Sequence, residues 1–142
     1  MASAIALGLL WLLVSVTASK SETLVCVQEA AGGLKFVNGQ WQGVMFKNSG
    51  YQYMVTSGST DPLSYEVTEI GKDSTLFQCT RMKFQNGTIS EQMFCGGLGY
   101  GMVINFAKLR YVEVYSLGYI DDDRSGQNTP SIGGGKCSTI RP

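Results

Sequence analysis

A chain of 142 residues with 18 Gly, 3 Pro and 44% hydrophobic residues has the composition of one globular domain rather than of a disordered tail. Its 11 Lys and Arg balance its 11 Asp and Glu, so no net field draws it to nucleic acid or anionic lipid, and neither partner is expected. With no His, Ser-His and Cys-His catalytic pairs are excluded, and no Ser-x-x-Lys replaces them.

In chain order, the first element is an apolar run from Ile5 to Val16, too short to span a bilayer, followed by Val16-Thr17-Ala18, which suits signal cleavage. Residues 1 to 18 are therefore expected to be a secretory signal, although the chain's own amine is the only positive charge ahead of the run; an uncleaved anchor is the alternative. Residues 19 to 142 would then form a single all-β domain, secreted or periplasmic, with no membrane span once the signal is removed.

Period-2 patterning dominates from there on. Tyr51, Tyr53 and Val55 alternate with Gln52, Met54 and Thr56, and Tyr65 and Val67 alternate with Glu66 and Thr68. Strands are expected at residues 23 to 29, 35 to 46 with a break at Asn38-Gly39, 51 to 56, 64 to 70, 75 to 84, 88 to 95, 101 to 106, 109 to 119 and 131 to 139. Turn signals separate them, among them Gly32-Gly33, Asn38-Gly39, Asn86-Gly87 and Asp121 to Pro130. An antiparallel meander of eight or nine strands hides its edges by closing, so the expected fold is a small closed or partly open barrel, with a two-sheet sandwich as the alternative. The 109 to 119 strand is apolar on both faces, Leu109, Tyr111, Tyr115 and Leu117 against Val112 and Val114, as expected of a covered central strand, with an external contact surface as the alternative.

Four cysteines, an even number in an exported chain, imply two disulfides. Cys79 and Cys95 flank the Asn86-Gly87 turn nearly symmetrically and are expected to pair, which leaves Cys26 with Cys137 to tie the first strand to the last. Zinc and redox roles lack a CxxC spacing. The Gly-rich "GGLGYG" is followed by a strand pattern instead of the helix that a phosphate site requires.

The run "YIDDDRSGQNTPSI" places Asp121, Asp123 and Ser125 at positions 1, 3 and 5 of an EF-hand-like loop, but Ile132 stands where the bidentate Glu belongs. It is read as a solvated loop between strands, with weak calcium binding as the alternative. Asn86-Gly87-Thr88 is both a hairpin turn and a glycosylation acceptor, the latter only in a eukaryotic source. Paired-carboxylate chemistry would draw on Glu66, Glu69, Glu91 or Glu113, all expected on solvated strand faces.

Cys79, "CGGLGYGMVINF" from Cys95, "LRYVEVYSLGYI" and "NTPSIGGGKC" together resemble a group of small secreted bacterial proteins of unknown function, over roughly the C-terminal half. The resemblance carries over no activity and no functional residues; a loop that varies within that group implies that calcium is not obligatory.

The expected function is that of a secreted, non-enzymatic binding protein without a cofactor, its partner either a protein or a small apolar ligand. A calcium module or a carboxylate enzyme is the alternative. Trp41, Tyr111, Tyr115 and Tyr119 are the candidate contact residues. The many inward aromatics lead us to expect a filled barrel, with the contact surface outside it and Trp41 as the reporter of any interior ligand.

Overall fold

The computed structural model describes residues 22–47, 49–58, 60–97 and 99–140, so the expected signal segment lies outside the described residues. These residues form nine strands and one helical turn: β1 (Thr23–Val37), β2 (Gln40–Met45), β3 (Gln52–Ser57), β4 (Ser64–Glu69), β5 (Thr75–Lys83), β6 (Ile89–Gly97), β7 (Tyr100–Asn105), β8 (Arg110–Tyr115), α1 (Leu117–Ile120) and β9 (Ser131–Ile140).

Neighbouring strands are antiparallel, in the order β1-β3-β4-β5-β6-β7-β8-β9, and β9 returns to pair with β1. Eight strands thus close a barrel. β2 pairs with the C-terminal part of β1 and stands apart as a hairpin extension, turned through Asn38 and Gly39, both at positive φ (51° and 82°) as a two-residue type I′ turn requires.

The alternation read in the sequence becomes the inside and outside of the wall. Leu24, Val55, Val67, Phe77, Met93, Met102 and Ile104 point inward and are buried, whereas Met54, Phe94, Val103 and Val112, of the opposite parity, are exposed. Both disulfides lie inside and join directly opposed residues: Cys26–Cys137 across the β1–β9 seam and Cys79–Cys95 across the β5–β6 hairpin. That hairpin turns at Gly87 (φ 84°), with the Asn86 side chain accepting from the Thr88 amide at 3.0 Å, so Asn86 sits on an exposed tip.

Two expectations about the strands are corrected. Gly32-Gly33 is not a turn: β1 runs through it, pairing with β9 from Thr23 to Gly33, and at Glu29 a bulge marks where its other edge passes from β3 to β2. The glycine is needed for crowding, since a Cβ on Gly33 would collide with the Pro130 carbonyl and the Phe46 ring. The strand expected at 109 to 119 ends at Tyr115, and its second apolar face is not covered, Val112 and Val114 being 43% and 42% exposed. A single-walled barrel has one interior, so a strand apolar on both faces leaves one of them outside.

The two ends of the barrel differ. At the far end Phe106 packs on Tyr65 (ring centroids 5.1 Å), and the Arg81 guanidinium lies 4.6 Å from the Phe106 ring centre while its Nε donates to the Ser90 carbonyl at 2.9 Å. The near end is open, and the β1–β2 hairpin and the segment from α1 to β9 rise beside it.

Candidate ligand-binding site at the barrel mouth

The inward residues at the near end are aromatic and polar. Tyr53 comes from β3, Tyr100 from the start of β7, Glu113 and Tyr115 from β8, and Gly133 from β9; with Tyr51, Glu69, Lys35, Lys47 and Lys72 they line an open cavity of about 640 Å³. The run of glycines in β9 makes this space. Gly133 and Gly135 point inward where a Cβ would strike the Gln28 side-chain amide or the Val27 carbonyl and the Tyr111 ring, so β9 lies close against β1 and contributes no bulk.

Glu113 is the floor of this mouth. Tyr53 Oη donates to its Oε2 at 2.6 Å and Tyr100 Oη donates to its Oε1 at 2.9 Å, two charge-assisted bonds that fix the carboxylate between opposite walls. Burial, and then the neighbouring carboxylate, push both phenols well above the usual tyrosine range, so both remain donors. Beneath them Tyr111 stacks edge-on against Tyr53 (5.6 Å). Burial pushes its phenol up to about 12, and its buried hydroxyl has no hydrogen-bond partner among the described residues. The rings support one another: Tyr100 sits edge-on to Phe77 at 4.7 Å and to Tyr115 at 5.5 Å. At the rim Lys72 pairs with Glu69 at 2.7 Å, and the Lys35 ammonium lies 5.7 Å from the Phe46 ring centre.

Comparison with protein-family models, with curated proteins and with solved structures finds no match.

The four contact residues named from the sequence do not share a face. Tyr111 is buried in the interior, and Tyr115 lines the mouth while donating to Asn128 Oδ1 at 3.2 Å. Trp41 and Tyr119 lie outside the barrel with ring centroids 5.2 Å apart, joined by Phe36 at 5.5 Å from Trp41, with the Arg124 guanidinium 4.8 Å from the Phe36 ring. Trp41 thus clamps the α1–β9 segment to the β1–β2 hairpin; it is not an interior reporter.

The acidic loop spends its carboxylates on its own fold. Asp122 pairs with Arg124, which with a bond from Trp41 holds its carboxyl below the usual range. Asp123 is likewise held below the usual range, first by the Ser125 hydroxyl, then by the Ser125 amide, from which it accepts at 2.9 Å, and by Asn128 Nδ2 at 2.7 Å. Ser125 Oγ in turn accepts from the Gln127 amide at 3.1 Å, and Asp121 is exposed. Among the described residues no three His, Cys, Asp or Glu side chains are grouped as a metal ion would need.

Tyr51, Tyr53 and Tyr100 line the site but are absent from the four contacts expected from the sequence, which named Glu113 only as a candidate catalytic carboxylate. Glu113 was expected on a solvated face, yet it shares parity with Tyr111 and Tyr115, and that parity was the available signal.

Proposed function

We propose that this is a secreted, non-enzymatic binding protein that takes a small ligand into the mouth of its barrel. The observation that carries the reading is the preformed cavity of about 640 Å³ with one fixed carboxylate at its floor and four tyrosines, Tyr51, Tyr53, Tyr100 and Tyr115, around it. Ligand sites are of this size and this kind: concave, largely apolar, with few placed polar groups. The interior is thus packed at the far end and open at the near end, which favours an internal ligand over an external tyrosine face.

Binding is favoured over catalysis because hydrolysis by carboxylates needs two of them in separate roles, and the second carboxylate in the mouth, Glu69, is engaged by Lys72. Export is supported by two disulfides in the folded domain. Among the described residues no helix is long and apolar enough to cross a membrane.

Ala31 lines the mouth, so Ala31→Phe fills it from the wall. Amide shifts in a titration with a panel of small amphiphiles are expected to cluster on Tyr53, Tyr100, Tyr115 and Gly133, and to vanish in Ala31→Phe while its melting temperature holds. Shifts confined to Val103, Val112 and Val114 on the outer wall would replace this reading with an external docking surface.

A further inference from the structure

We infer that the ligand of the mouth is an organic ammonium ion, its cationic head seated against Glu113 between Tyr53 and Tyr100. This rests on the mouth being the ligand site and adds the charge of what enters it.

A carboxylate has about four lone-pair positions, and the two tyrosine hydroxyls take one on each oxygen, so about half its accepting capacity is left for another donor in the cavity that Glu113 lines. Hydroxyl donors hold the anion in place without neutralising it. None of the four ion pairs among the described residues includes Glu113. The cations that share the cavity are Lys35, Lys47 and Lys72, of which Lys72 is on Glu69, Lys35 is over the Phe46 ring and Lys47 is exposed, in none of the four ion pairs. A half-buried carboxylate without a cation is an unfavourable charge that an entering cation relieves, and the gain is largest where water is partly displaced.

The walls point to the same chemistry. Aromatic rings attract a cation lying within about 6 Å of a ring centre, and an aromatic enclosure beside a carboxylate is the arrangement suited to alkylated ammonium groups, which cannot spend all their charge in hydrogen bonds. Four tyrosines line this one cavity, two of them fixed by their bonds to the same Glu113. An anionic ligand would be repelled at the floor, and a neutral one would displace water from Glu113 without replacing its compensation.

The test compares choline with 3,3-dimethylbutan-1-ol, its neutral carbon isostere, by amide-shift titration of the purified protein. Both should move the mouth residues of β3, β7 and β8, with choline binding at least about tenfold more tightly. Glu113→Gln should erase that preference while leaving the isostere's affinity within about twofold. Tyr51 is 46% exposed at the rim, so Tyr51→Ala keeps the fold and should reduce the preference several-fold even where Glu113→Gln fails to fold. Equal affinity for the two probes would overturn the inference and leave the mouth an uncharged pocket, with the proposed function intact. Neither probe moving the mouth would overturn the inference, and the proposed function would then fall only if the Ala31→Phe titration also showed nothing to block. A choline preference unchanged in both variants would place the cation elsewhere and likewise overturn it.

Discussion

At the scale of single residues, the interior is organised around tyrosines whose hydroxyls have been taken from water. Tyr53, Tyr100 and Tyr111 are all pushed above the ordinary phenol value, first by burial and then by the nearness of Glu113. In the unfolded chain these groups ionise near pH 10, and in the folded protein they do so later. Between those points the folded state holds protons that the unfolded state has lost, so stability is intact below about pH 10 and falls as the pH rises beyond it. Absorbance at the phenolate band should accordingly include a late step, coincident with unfolding, that carries the Tyr53, Tyr100 and Tyr111 phenols. A single step near pH 10 with no loss of structure would show that these three hydroxyls are open to solvent.

At the scale of elements, the departure from plan is the β1–β2 hairpin. A strand of 15 residues is too long for a barrel of this size, and the bulge at Glu29 lets its second half leave the wall, pair with β2 and carry Phe36 and Trp41 over to the acidic loop. There the loop meets an aromatic surface, and its amides are tied by local bonds such as Asp123 N to the Gly118 carbonyl at 2.8 Å and Asp121 N to the Leu117 carbonyl at 2.9 Å. Edge-on aromatic contacts contribute about 0.5 to 1.5 kcal/mol each. Trp41→Ala removes two of them, so hydrogen exchange at Asp121, Asp123 and Ser125 should speed up roughly tenfold or more while the strand amides keep their rates. Uniform acceleration across the barrel would mean that hairpin and barrel unfold as one unit. The same variant should leave binding in the mouth unaltered, because Trp41 does not line it.

At the scale of the whole molecule, closure depends on the β1–β9 seam, which the Cys26–Cys137 disulfide crosses at a sequence separation of 111, against 16 for Cys79–Cys95. Removing loop-closure entropy from the unfolded chain is worth about 3 kcal/mol for a short loop and nearer to about 5 kcal/mol for one of a hundred residues. Replacing Cys26 and Cys137 by alanine should therefore cost more, by about 1 to 2 kcal/mol in denaturant unfolding, than replacing Cys79 and Cys95. Equal losses would indicate that the long-range bond contributes through local packing alone.

Much of this architecture is written in local pattern. Period-2 alternation states which residues of each strand share a face, Asn38-Gly39 and Asn86-Gly87 state where hairpins turn, and four cysteines, two of them flanking one such turn, favour one pairing of the three possible, which the structure bears out. These features depend on neighbours within a few residues or on a simple count, so the sequence alone determined the all-β class, the two disulfides and most strand positions. What it could not determine was which residues of different strands meet at the mouth: that Glu113 meets Tyr53, 60 residues away, or that Gly133 lines an open space beside them. Those outcomes depend on how far each strand is displaced along its neighbour around a closed ring, a quantity fixed by the whole barrel at once. Only the tertiary structure decided it, just as it decided that Trp41 and the triple aspartate meet outside the wall, where aromatic contact and an Arg124 ion pair take up the loop.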